Sequence, residues 1–403
     1  MGLGTYALGR LSNAVMVILI ATFICSAVFN ALMEIKADEV ISSRLQEEKQ
    51  RALGHGAKSL FEYLEYHAPD MERYNVTIEI DGKVYLCSRI FTNRTLMKEL
   101  QDRGIDILSL GGTCIERYIV AFEKHRWGLD QPPMMRILLY TYRTLTFSLG
   151  RPIGEYKQYG EYEDVFSLLM LAMSRSMLLF TIAYLINMSI AIYIGLKMAR
   201  NFGGILDRGV AVAGMIAHAM PLYWVGLLMI LFFSVYLRLF PMRAFESPPP
   251  TIENNFTELF KWWSWHLALP IITIVLIAVG PTAYVVRNMV INVLQEDFVM
   301  VARAKGLPER YILYRHVLRA ASPPIATTIL LGLLNTFFGA IISERVFQWP
   351  GMGFLYWMAI NNGDIVVLMG LNYLFILLFV SIKFFLDILY CFLDPRIKTA
   401  RTV

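Results

Sequence analysis

Charged side chains are scarce in this chain: Asp, Glu, Lys and Arg make up 17% of 403 residues, against 56% hydrophobic ones. At a mean hydropathy of +0.50 a water-soluble globule of this size lacks the polar atoms to cover its surface, so the composition excludes one. The signatures of resident catalysis are missing too. There is no Gly-x-x-x-x-Gly-Lys-Ser/Thr phosphate loop, no His-Glu-x-x-His zinc helix and no Gly-x-Ser-x-Gly nucleophile elbow. The six histidines (His55, His67, His125, His218, His266 and His316) have no ligand spacing. The chain is therefore expected to be no enzyme and to hold no metal or cofactor of its own. Its net charge of +5 sits in loops and calls for no nucleic-acid partner.

What is present is apolar sequence of bilayer length. A hydrocarbon core of ~30 Å takes ~20 helical residues, and the stretches 11–32, 176–196, 209–237, 266–286, 325–343 and 365–390 qualify. They predict an all-α polytopic membrane protein with six transmembrane helices. The first stretch lacks a small-residue cleavage pattern and reads as a retained helix rather than a removed signal. Near the membrane ends, Arg10, Lys197, Arg200, Arg208, Arg287, Arg303, Lys305, Arg310, Arg315, Arg319, Arg396, Lys398 and Arg401 fall on one side. Only Arg175, Arg238, Arg243, Lys261 and Arg345 oppose them. The positive-inside rule then puts both termini and the 287–322 loop in the cytoplasm of a plasma or inner membrane. It leaves 33–165, 238–265 and 344–364 outside.

The organisation expected is a first span in 1–33, a small extracellular α+β cap in 34–127 and a five-span core in 128–403. Within the cap, apolar residues recur with helical spacing from Ala37 to about Tyr66, broken at Gly54 and Gly56 and closed by Pro69. Asn75-Val-Thr-Ile-Glu-Ile alternates, Asp81-Gly82 supplies a type I′ turn, and Lys83-Val-Tyr-Leu-Cys returns, which predicts a hairpin. Thr95–Arg103 and Thr113–Arg126 read as helices. Cys87 and Cys114 are either a disulfide, contributing about 3 kcal/mol by loop closure, or two buried thiols; spacing does not decide. Asn75, Asn93 and Asn255 begin sequons on the external side and are glycosylation candidates, whereas the sequon at Asn187 falls inside a span.

Polar or kink-forming residues at membrane depth are candidates for a translocation path and gate: Met220, Pro221, Tyr223 and Trp224 in the third span, and Asn335, Thr336 and Ser343 in the fifth. Each is equally an ordinary helix–helix contact. Lys383 and Asp387 in the last span either pair or snorkel to the interface.

The one charged, amphipathic island of the C-terminal half is 296–319, whose two helices meet at Gly306. Cationic amphipathic loops also lie on anionic lipid. Here Ala302-Arg-Ala-Lys-Gly-Leu follows Glu296-Asp-Phe-Val and precedes Arg315-His-Val-Leu-Arg and Pro323-Pro. Gly128-Leu-Asp-Gln-Pro, Met220-Pro-Leu-Tyr-Trp-Val-Gly, Glu344-Arg-Val-Phe-Gln-Trp-Pro-Gly-Met-Gly and Leu393-Asp-Pro-Arg stand in order around it. The set resembles the B-type permease subunits of dipeptide and oligopeptide ABC importers, over 1–32 and about 125–398. After the first span, Glu34-Ile-Lys-Ala-Asp replaces the expected Pro-Gly-Asp-Pro-like turn, and Lys383 stands where a neutral residue is expected.

The resemblance implies a type I ABC importer permease fold. It implies an ATPase-coupling loop built from Glu296, Asp297, Ala302, Arg303, Ala304, Lys305, Gly306, Leu307 and Arg310, with ATP and Mg bound by partner subunits. The implied partners are a second homologous permease, two ABC ATPases, an extracellular solute-binding protein and membrane lipid. Di- or oligopeptides are the expected cargo, delivered by the binding protein. Oligosaccharide import by the same family, a secondary transporter, and an ectodomain enzyme or receptor are the alternatives.

Overall fold

The computed structural model describes residues 3–53, 57–126, 128–160, 162, 164–252, 255–337 and 339–393. Gly54, Gly56, His55 and the closing cations Arg396, Lys398 and Arg401 lie outside the described residues, as does the Asp-Pro-Arg part of the C-terminal motif. The chain divides into two compact units, Met1–Ala21 with Phe147–Val403, and Thr22–Thr146.

The unit Thr22–Thr146 mixes helices with one hairpin. Helix α1 (Leu3–Leu53) runs without interruption through Glu34–Asp38, the residues that replace the Pro-Gly-Asp-Pro-like turn of the family. It is followed by α2 (Ala57–Tyr66), α3 (Ala68–Arg73), strands β1 (Thr77–Ile80) and β2 (Lys83–Leu86), then α4 (Cys87–Thr92), α5 (Arg94–Asp102), α6 (Ile107–Arg126) and α7 (Pro133–Leu145). Pro69 does not close the preceding helix; it occupies the first turn of α3, where its missing N–H costs nothing. The strands pair antiparallel with Ile80 opposite Lys83, and both turn residues, Asp81 and Gly82, have positive φ (48° and 76°), as a type I′ turn requires.

Alternation sends Val76 and Ile78 into a core with Leu60, Leu64, Met71, Ile90, Leu100 and Ile115. Full burial of each such side chain contributes about 2 kcal/mol. In the centre of that core Cys87 and Cys114 form a disulfide, with Cα atoms 5.9 Å apart. Arg44 pairs with the fully buried Glu123, and Arg136 with Glu34. Asn93 caps α5 by accepting from Thr95 N and Leu96 N, so this exposed sequon asparagine also has a structural task. Asn255 does the same for α11 below, while Asn75 is exposed with a φ of 50°.

The other unit contains α8 (Val165–Arg200), α9 (Ile205–Ala219), α10 (Leu222–Met229, continued by a wide π-type segment Ile230–Tyr236), α11 (Phe256–Leu294), α12 (Asp297–Ala304), α13 (Glu309–Tyr311, continued by a second π-type segment Ile312–Val317), α14 (Leu318–Asn335), α15 (Ile341–Phe347), α16 (Met352–Asn362) and α17 (Ile365–Leu393). Among the described residues five stretches are long and apolar enough to cross a bilayer: Ala7–Glu48, Val165–Arg200, Phe256–Leu294, Glu309–Asn335 and Ile365–Ile388. The pair α9–α10 makes a sixth if counted as one. It connects opposite ends of the bundle, because Asp207 at its start bonds Arg287 near the end of α11, while Ala244 beyond it bonds the Phe347 carbonyl.

Two expected spans change shape. The third is not a kinked rod: α9 and α10 meet at 98°, and Pro221 stands before α10 as its cap instead of inside a helix. A proline supplies no N–H to the preceding turn, so the ladder stops at Ala219. The fifth is displaced toward the N-terminus; it begins at Glu309 and ends at Asn335, so the amphipathic 309–319 segment is its first part. Ser343 therefore lies outside that span, in the short helix α15, which starts after Gly339 (φ 68°) reverses the chain. Asp387 does not pair with Lys383. It meets Arg10 at 3.2 Å, because Lys383 points outward from α17 while Asp387 is half-buried toward α1.

Candidate functional site

At one end of the bundle α12 is held as a rigid stub. Val299 and Ala302, three residues apart, share one helical face and are buried against Leu196, Val290, Ile312, Leu313 and Val317. The helix closes in a Schellman arrangement: Gly306 N donates to Arg303 O at 2.9 Å and Leu307 N to Ala302 O at 3.4 Å. Gly306 has a φ of 75°, and a Cβ there would meet open space, so backbone conformation rather than crowding demands the glycine. Pro308 then starts α13, and Arg303 Nε donates to Glu309 Oε1 at 2.9 Å, tying the two helices across the turn.

The opposite face of α12 is open. Phe298, Met300 and Val301 are exposed, together with Asp297, Ala304, Lys305 and Arg310 around them. The coupling candidates thus divide: Ala302 faces inward, Leu307 is half-buried, Gly306 makes the turn, and Arg303 is already paired within the chain. Glu296, Asp297, Ala304, Lys305 and Arg310 remain on the surface. Phe298, Met300 and Val301, which the charge pattern did not single out, supply its apolar part; their spacing along a helix whose other face carries Val299 and Ala302 was the available signal.

Behind the stub, Arg287 bonds Asp207 twice, Nε to Oδ1 at 2.9 Å and Nη2 to Oδ2 at 2.8 Å. Its guanidinium also lies over Phe202 and Tyr284. This fork ties the start of α9 to the end of α11. Further along the same two helices Gly214 and Gly280 touch back to back, so closely that a Cβ on Gly280 would stand 2.6 Å from Gly214 Cα.

In the middle of the bundle the path candidates do not gather. Asn335 and Thr336 line a cavity of about 260 Å³ with Phe180, Tyr184, Asn187 and Gly332. Thr336 bonds Thr181 at 2.9 Å, Tyr184 OH donates to Thr328 O, and Asn187 Nδ2 donates to Thr282 Oγ1. Met220, Tyr223 and Trp224 are exposed at the α9–α10 bend and do not border this cavity.

At the far end, two buried acids organise the loops. Ser343 is buried beside Glu344, whose carboxylate accepts from Ser176 Oγ (2.7 Å), Ala340 N (3.2 Å) and Phe354 N (3.0 Å). Ser176 in turn accepts from Met352 N. Burial pushes the Glu344 carboxyl up to about 7, against the opposing pull of these donors. Asp364 accepts from Ile153 N, Gly154 N, Tyr156 OH and Val367 N, at 2.7 to 3.1 Å, clamping the 150–156 segment onto the start of α17. The sequence pattern singles out neither Asp207 nor Asp364, counts Arg287 only as a cation on the cytoplasmic side, and includes Glu344 only as part of a motif. Their one signal was an ionisable residue inside or beside an apolar run.

A bundle of apolar helices, one broken midway, with a short amphipathic helix presented at one end, is the architecture of a multi-pass membrane protein. The chain belongs to the family of binding-protein-dependent transport system inner membrane components, which it matches over residues 191–399. It is similar to the di/tripeptide transport permease DppB of Pseudomonas aeruginosa, at 29% identity over 69% of this chain and 84% of that one. It is also similar to the oligopeptide transport permease AppB of Bacillus subtilis (28%, 68% and 83%) and to the peptidoglycan transport permease YejB of Agrobacterium fabrum (28%, 68% and 75%).

Proposed function

We propose that this chain is one permease subunit of an ATP-driven importer of di- and oligopeptides, working with a homologous second permease, two separate ATPase subunits that bind ATP and Mg, and an external solute-binding protein. Both termini and the segment 295–308, which carries α12, face the cytoplasm in this reading. The single observation that carries it is the two-faced α12: one side is locked into the bundle by Val299 and Ala302, and the other offers Phe298, Met300, Val301 and Ala304 with cations beside them. A helix so anchored moves with α11 and α14, so a push on its open face reaches the membrane helices. Closing of the ATPase pair then shifts the bundle between inward- and outward-open states. The peptide cargo is supported by the names of the relatives similar over two thirds of the chain.

Met300→Glu and Ala304→Glu test the coupling. Both positions are exposed, so folding survives, while a new carboxylate is placed in a desolvated contact. Co-purification of the ATPase subunits and ATP-dependent uptake of tri-alanine in proteoliposomes should fall at least tenfold together. Undiminished assembly and uptake in both variants would remove α12 as the coupling element.

A further inference from the structure

We propose that a hollow between Arg243 and Arg345, at the end of the bundle opposite α12, is a subsite for the C-terminal carboxylate of the transported peptide. This rests on the peptide-import reading above. The hollow encloses about 380 Å³ and is lined by Gln158, Arg243, Phe245, Arg345, Gln348, Pro350, Phe354, Trp357 and Met358, contributed by four separate stretches of chain. Its lining has two guanidinium groups and two primary amides set among aromatic rings, with no acidic side chain. Five apolar residues alternate here with four polar ones that converge on the hollow, whose volume is in the range usual for a small-molecule site.

The walls are fixed from behind. Phe354 and Trp357 stack in parallel, at 4° and 6.1 Å between centroids, and the Arg345 guanidinium lies over both rings, 4.3 Å from that of Trp357. Stacking uses the face of the guanidinium and leaves its N–H edge for a ligand. Neither Arg345 nor Arg243 has a carboxylate within ion-pair distance among the described residues. Arg175, on the far side of Phe245 at 4.4 Å, also donates to Gln158 O, so it holds two of the lining residues in place. Gln348 sits in the left-handed region (φ 53°), a conformation that turns the chain between α15 and Trp349 and brings Gln348 to the rim.

Two free guanidinium forks select a carboxylate, which accepts two parallel N–H bonds from each planar donor set. The same charges repel an ammonium group, so a peptide enters carboxylate first, its last side chain against Trp357 and Met358. Lys would keep the charge without the fork, and an amide would offer neither.

The complete transporter, reconstituted in proteoliposomes with its solute-binding protein, provides the test. Tri-alanine and tri-alanine amide are each presented at concentrations that saturate the binding protein, as verified by titrating it alone, and initial uptake is compared. The wild type should favour the free carboxylate about tenfold. Arg345→Gln and Arg243→Gln should each lower that ratio severalfold and the double variant should bring it near one, with Arg345→Lys intermediate. Arg243 is exposed, so its variant reports even where loss of the Arg345 stack disturbs folding. An unchanged ratio in the variants overturns the subsite. So does an equal loss for both peptides accompanied by weaker docking of the binding protein, which would give the arginines to that interface. Failure of the wild type to import either peptide would instead sink the peptide reading itself.

Discussion

Replacing Glu344 by Gln separates two roles that its position combines. The side chain is 1% exposed, and Gly339, Gly351 and Gly353 surround it: a Cβ on Gly351 would stand 2.6 Å from Glu344 Oε2, and one on Gly339 2.5 Å from Oε1. Space is left for a carboxyl group and nothing larger. Its value near 7 lies above the ordinary 4.5, so the native state holds the proton more tightly than the unfolded chain does. The resulting stabilisation is complete below pH 4.5, declines as pH rises, and is lost once pH passes about 7. At ~1.36 kcal/mol per pH unit, the wild type loses about 2 to 3 kcal/mol between pH 5 and pH 8 through this group alone.

Glutamine carries no proton to lose, so the variant lacks this slope. Its oxygen can take the Ser176 and Ala340 donors, but its NH₂ then faces Phe354 N, donor against donor, at a cost of about 1 to 3 kcal/mol. The expected result is a variant less stable than wild type at pH 5, with the gap narrowing or closing by pH 8. For a chain of this length 2 to 3 kcal/mol corresponds to about 3 °C in melting temperature. Intrinsic tryptophan fluorescence of the purified complex in detergent, scanned at half-unit pH steps, reads it directly. Parallel melting curves for wild type and Glu344→Gln across that range would refute the assignment of the proton to this site.

Other substitutions probe the rest of the frame. Asp364→Ala strips the acceptor from three backbone N–H groups and the Tyr156 hydroxyl, so a loss of about 3 kcal/mol or more and new protease cleavage within 150–162 are expected. Native-like resistance there would contradict the clamp. Asp207→Ala leaves the Arg287 guanidinium without its fork partner and should cost about 3 to 5 kcal/mol, whereas the swapped pair Asp207→Arg with Arg287→Asp should recover part of it in a thermal-unfolding cycle. Gly280→Val forces α9 and α11 apart at their closest point; folded yield should drop, by an overpacking cost of about 1 to 3 kcal/mol, while Gly209→Val, where a Cβ meets open space, should be tolerated.

Local chemistry was readable along the chain, and distant partnership was not. The hairpin at 77–86 followed from alternation and Asp81-Gly82 because every force that sets it acts within ten residues. Gly306 was legible for the same reason, since its αL conformation closes a helix only eight residues long. Span boundaries fared worse: a hydropathy window sums apolar character over ~20 residues, and it cannot see that α14 stops at Asn335 and that a separate short helix, α15, begins only after Gly339. The acids show the limit most sharply. Glu344 is satisfied by Ser176, 168 residues earlier, and Asp364 by Ile153, 211 earlier, while Asp387 turns from Lys383 one helical turn away to Arg10 near the start of the chain. An acid beside a membrane-length run must find donors wherever the fold brings them, so its presence announces a buried site without saying whose. For this chain that rule holds at Glu344, Asp364 and Asp387, and the arginines at 243 and 345 are its converse: among the described residues neither has a carboxylate within ion-pair distance.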